Sequence, residues 1–151
     1  MQHSNYLESK VLTAPPQRLQ LMLIEGAIRF GRQAEAALRD GDRVAASRSL
    51  LRAMDIIGEL LAAARANTSE LNKSVADLYW YLFRRISEAK INSDLVALAE
   101  TLRLLDYERQ TWQMLCDNLS ADKRSGPAAP HMNTFSTGQN IGSKSGFSLE
   151  A

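Results

Sequence analysis

Apolar residues recur along roughly the first 119 positions at the three-and-four spacing of amphipathic helices, and polar breaks divide that pattern into four segments. The first segment opens at Pro15 and Pro16, where proline suits the first helical turn, and runs to about Arg39. Asp40-Gly41-Asp42 reads as a turn, with Asp42 placed to cap a second helix over about 43–66. Asn67-Thr68-Ser69 breaks that helix, and a third covers about 70–91. Asn92-Ser93 makes the next turn, with Ser93 as N-cap of a fourth helix over about 94–119. Short links between long helices favour antiparallel neighbours. The expected fold is therefore all-α, an antiparallel up-down four-helix bundle over residues 15–119.

Each helix carries more apolar surface than one buried stripe needs. On a wheel of 100° per residue, Leu19, Met22, Leu23, Gly26, Ala27, Phe30, Ala34 and Ala37 share one face of the first helix. Leu21, Ile24 and Ile28 form a second stripe. The fourth helix repeats this, with Leu95, Leu98, Leu102, Leu105, Trp112, Cys116 and Leu119 on one line and Leu104, Tyr107, Thr111 and Met114 on another. Ile56 and Leu60 in the second helix, and Trp80 and Phe83 in the third, also fall outside the main stripes. Contiguous exposed apolar surface marks partner sites. We expect Leu21, Ile24, Ile28, Leu104, Tyr107 and Met114 to contact a partner, although the same surplus would fit a wide core, and patterning leaves open which stripe is which.

Composition changes beyond residue 120. Pro127, Pro130, several glycines and many serines and threonines replace the apolar repeat, so 120–151 reads as a disordered tail. Ahead of the bundle, residues 1–14 form a short segment with Tyr6, Leu7, Val11 and Leu12 as its apolar positions. The net charge of the 151-residue chain is +1, which gives no broad electrostatic footprint for nucleic acid. The N-terminus lacks the apolar run of a signal peptide, and no stretch is long enough to span a bilayer. With a single cysteine, Cys116, on an apolar line, the chain reads as cytoplasmic, without membrane insertion, and Cys116 as a buried small hydrophobe.

The chemistry-bearing residues do not gather. His3 and His131 lie outside all four helices, so the Glu-x-x-His pairs of a di-metal bundle cannot form. No Cys/His cluster suits zinc, and no phosphate-binding loop is present. No catalytic, cofactor-binding or metal-binding residue is expected.

Several short motifs resemble the FliS family of flagellin export chaperones. Tyr6 and Val11 precede Thr13-Ala14-Pro15-Pro16, similar to that family's Thr-Ala-Ser-Pro entry into its first helix. Leu19, Met22-Leu23, Gly26-Ala27-Ile28-Arg29-Phe30 and Gln33-Ala34 follow. Ile57, Glu59-Leu60, Leu78-Tyr79, Tyr81, Arg85, Glu88-Ala89 and Thr111-Trp112 complete the resemblance over about residues 6–119. Two positions depart from it: Ile24 stands where the family usually has Tyr, and Lys90 where it often has Asn. The resemblance implies a chaperone that catalyses nothing, and we expect the chain to be a monomer. Such a protein would bind the disordered C-terminal segment of flagellin, prevent its premature polymerisation and aid its delivery to the export gate. It also implies that Tyr6, Leu7, Val11 and Leu12 form a short helical cap over the empty groove; a plain core staple is the alternative. A helical adaptor or regulator gripping another amphipathic segment is the competing function.

Overall fold

The structure, a computed structural model, describes residues 16–125. The expected cap (Tyr6, Leu7, Val11, Leu12) and the tail beyond 125 lie outside those residues. Four helices follow in order: α1 (Pro16–Arg39), α2 (Arg43–Arg65), α3 (Glu70–Asn92) and α4 (Leu95–Ser125).

The turns explain the helix boundaries. Gly41 has φ +80°, in the left-handed region where only glycine is free of a Cβ penalty. It lets the chain reverse, and the Asp42 carboxylate accepts a bond from the Ala45 N–H at 3.0 Å as the N-cap of α2. Ser69 caps α3 in the same way, accepting from the Asn72 N–H at 3.2 Å.

The fourth helix differs from expectation at both ends. Ser93 is not its N-cap; it adopts a left-handed conformation (φ 54°, ψ 42°) and closes the C-terminus of α3. Asp94 does the capping instead, accepting from the N–H groups of Val96 at 2.9 Å and Ala97 at 3.1 Å. The helix also continues past residue 119 to Ser125. Lys123 and Arg124 in its last turn complement the negative end of the helix dipole.

Backbone contacts group the chain into two units, Met1–Gln113 and Met114–Ala151. Within the first, α1 packs along α2 and α2 along α3. Arg43 at the start of α2 donates from Nε to Ser93 Oγ at 3.0 Å, which sets the start of α2 beside the end of α3, as antiparallel packing requires. The α4 helix meets α1 where Leu102 lies over Gly31, and it meets α3 through Arg85 and Glu100. Ile24, Leu50, Ile57, Leu60, Leu82, Ile86, Leu98 and Leu105 are essentially without solvent exposure and belong to one core. Each such side chain contributes about 1.5–3 kcal/mol of burial free energy. Thr101, also fully buried, satisfies its hydroxyl by donating to the Ala97 carbonyl at 2.9 Å. The observed fold is the all-α four-helix bundle that the spacing predicts.

Candidate protein-interaction surfaces

The six residues expected to meet a partner separate into three groups. Leu21 and Ile24 are buried at 1% and 0% exposure, and Ile24 is part of the core. They do not form an exposed groove, so that expectation is corrected. The buried line of α1 is Leu21, Ile24, Ala27, Gly31 and Ala34, drawn from both stripes of its wheel. The small residues Ala27, Gly31 and Ala34 let a neighbouring helix come close, which moves the centre of burial between the two stripes. Leu19, Met22, Leu23 and Phe30, read as one face, are only half-buried. Ile28 and Leu104 are also half-buried, packed against the core from its edge. Tyr107 and Met114 are the two exposed members, at 60% and 64%.

Tyr107 borders a groove of about 410 Å³ that runs between α1 and α4. Arg32 and Glu35 line it from α1, and Leu102, Arg103 and Gln110 from α4. Its walls are largely polar. Asp106, which also lines it, accepts from Arg109 at 2.8 Å and from Gln110 at 2.9 Å, and these bonds hold its carboxyl below the usual carboxylate range. Met114 lies in the second unit, where Leu115 and Leu119 are also exposed and Cys116 is buried.

A second surface is more apolar. Trp80 and Phe83, one turn apart on α3, stack with ring centroids 6.1 Å apart and an interplanar angle of 11°. The Arg65 guanidinium of α2 lies 5.8 Å from the Trp80 ring centre. Trp80 remains 44% exposed. Phe83, half-buried, passes over Gly58: a Cβ there would sit 3.9 Å from the Phe83 ring. The ledge opens into a groove of about 410 Å³ lined by Trp80, Phe83, Arg84, Ser87 and Glu88. Helical spacing had set Trp80 and Phe83 outside the main stripe of α3, so the signal was in the sequence. Spacing alone does not show that this pair stays at the surface, since two aromatic residues on a flank fit a wide core equally well.

Polar networks fix the helices that carry these surfaces. The Tyr79 hydroxyl, at the buried junction of α1, α3 and α4, accepts from Gln20 Nε2 at 2.9 Å and donates to Glu108 Oε2 at 3.1 Å. Burial, then the negative charge of Glu108, pushes its pKa well above the usual phenol value. On the outer face, Tyr81 donates to Glu100, and Arg85 donates to Glu100 at 3.1 Å and to Glu88 at 2.6 Å. The Tyr81 and Arg85 bonds lower the Glu100 pKa, while Glu88 and Glu100 raise that of Arg85.

Among the described residues, no group of three His, Cys, Asp or Glu side chains stands close enough to hold a metal ion. No helix among them is long and apolar enough to cross a membrane. What the described residues do present is apolar and cationic surface on a closed core.

Comparison with known proteins gives a consistent set of matches. The family model described as flagellar protein FliS matches residues 1–119. The flagellar secretion chaperone FliS of Bacillus subtilis is 31% identical over 121 residues, covering 80% of this chain and 90% of that protein. The protein of the same name from Salmonella typhimurium is 31% identical over 116 residues, covering 76% of this chain and 86% of its own length. That of Escherichia coli is 28% identical over 109 residues, or 71% and 80%.

Proposed function

The chain belongs to the FliS family of flagellar secretion chaperones, and from that premise we propose that it is a cytoplasmic, monomeric chaperone for the C-terminal segment of flagellin. It keeps the bound flagellin from polymerising early and presents it to the flagellar export gate. Chaperones of this kind make and break no bonds; binding alone is the activity.

The observation that carries the proposal is the stacked pair of exposed Trp80 and half-buried Phe83 beside Arg65. Phe83 packs against the core from its edge, while the Trp80 ring remains 44% exposed and available to a partner. An amphipathic segment laid along the α2–α3 seam would bury the two rings against its apolar face. Tyr107 and Met114, both exposed, are further contact candidates. Leu104 and Ile28 could be reached only at their exposed edges, and Leu21 and Ile24 only by displacing what covers them.

A client that is disordered when free loses conformational entropy on binding, so wide coverage, of order 1,000–3,000 Å², has to offset the ordering cost. The complex is then specific and still reversible, as a hand-over at an export gate demands. The test is polymerisation of purified flagellin followed by light scattering. Equimolar chaperone should suppress filament growth, and flagellin lacking its C-terminal segment should not form a complex with it. Unchanged polymerisation and no complex would refute the proposal.

A further inference from the structure

The α1–α2 seam carries a second, chemically different site. Phe30 is half-buried there, and two guanidiniums lie against its ring: Arg29 at 5.8 Å and Arg52 at 5.7 Å from the centroid. Gly26 lies beneath this arrangement. A Cβ at that position would stand 3.3 Å from Ile56 Cδ1, so the missing side chain lets α1 and α2 approach closely there, and 3.7 Å from Arg29 Nη2, an ordinary contact.

Two like charges at one ring repel each other, and an exposed cation–π contact offsets only about 0.5–1 kcal/mol of that. Carboxylates of the chain itself are within helical reach: Glu25 is one turn before Arg29, and Asp55 one turn after Arg52. Yet neither arginine is held in an ion pair among the described residues, whereas Arg32, Arg39, Arg85 and Arg109 each are. A contact with a ring face occupies none of a guanidinium's N–H donors, so those of Arg29 and Arg52 remain for a planar anion.

We propose that Arg29, Phe30 and Arg52 form a docking clasp for an acidic peptide segment of a partner protein. Carboxylates of the segment would take the N–H donors of both arginines, and an intervening apolar side chain would rest on the Phe30 ring. Charge complementarity selects this partner: a carboxylate relieves the Arg29–Arg52 repulsion, whereas a basic or neutral segment leaves it. The clasp lies on the α1 side of α2, and the Trp80 ledge on its α3 side, so the two sites are independent.

The test uses the full chain and a fluorescein-labelled peptide of alternating glutamate and leucine, followed by anisotropy. Binding should weaken with salt, and Arg29→Ala/Arg52→Ala should weaken it by about tenfold or more. Arg29→Lys/Arg52→Lys, which keeps both charges but loses the planar fork, should also weaken it, and it serves as the readout if the alanine variant melts early. Binding of the flagellin C-terminal peptide should be unaffected in either variant. The clasp is refuted if the wild-type chain does not bind the acidic peptide, if both double variants bind it as tightly as wild type, or if heparin, a non-peptide polyanion, competes equally well against wild type and both variants.

Discussion

Tyr79 of α3 donates a hydrogen bond to Glu108 of α4 across 3.1 Å, while Gln20 of α1 donates to the same hydroxyl at 2.9 Å. One phenol thus ties three helices together at a point its ring shares with the core. Tyr79→Phe keeps the ring and deletes the hydroxyl, leaving the Glu108 carboxylate and the Gln20 amide short of a partner. The expected loss is about 1–3 kcal/mol in a denaturant titration, with the helical signal unchanged.

The same hydroxyl makes stability depend on alkaline pH. The folded-state pKa of Tyr79 is raised above the ordinary value near 10, by burial first and by Glu108 second. Below the unfolded pKa both states keep the proton, and its contribution is fully present. As pH rises past about 10, the unfolded state ionises while the folded state resists, so that stability is lost. The stability advantage of wild type over Tyr79→Phe should therefore be constant from neutral pH to about 9 and shrink above 10. Melting curves of the two proteins across that range measure it, and an advantage that grew with pH would mean the hydroxyl is not held neutral.

Gly31 and Leu102 set the α1–α4 approach. A Cβ at Gly31 would lie 2.6 Å from Leu102 Cδ2, too close for both to stay in place. Leu102 is 3% exposed and has little room to move. Gly31→Ala gains about 1 kcal/mol of helix propensity, but overpacking costs about 1–3 kcal/mol, so a net loss is expected. Adding Leu102→Ala should relieve the clash. The double variant should then lose less stability than the two single losses added together. Strict additivity would show that Leu102 is not what resists the added methyl.

Much of this was legible in the chain. Asp42 as a cap and Gly41 in the turn follow from their neighbours alone, and the four helices follow from spacing. Ser93 and Asp94 were harder, because both are good caps and adjacent; the left-handed backbone at Ser93 decides between them, and sequence does not encode that locally. The core face of α1 was misread for a related reason. Leu21 and Ile24 look like a minor stripe on a wheel, but the glycine and alanines beside them permit close packing and draw them inward. Trp80 was visible as surplus, yet only the packed bundle shows that its ring remains exposed.

That distinction predicts opposite outcomes for two charge substitutions. Ile24→Asp places an unpaired carboxylate in the core, at a cost of several kcal/mol, and should unfold the bundle or leave it barely stable. Tyr107→Asp, at a 60% exposed position, should shift the unfolding midpoint by less than about 0.5 kcal/mol. Circular dichroism during thermal melting separates them. Equal melting of both variants would contradict the burial pattern.

The central claim, that the Trp80 ledge receives the flagellin C-terminal segment, is tested most directly by isothermal titration calorimetry of the matching peptide into wild type and Trp80→Asp. Wild type should bind with one-to-one stoichiometry. The variant should stay folded, because the ring is 44% exposed, and should bind at least tenfold more weakly, since a carboxylate would have to be desolvated under an apolar segment. A folded Trp80→Asp protein that binds as tightly as wild type would contradict the assignment of the ledge, and a wild-type protein that ignores the peptide would contradict the proposed function itself.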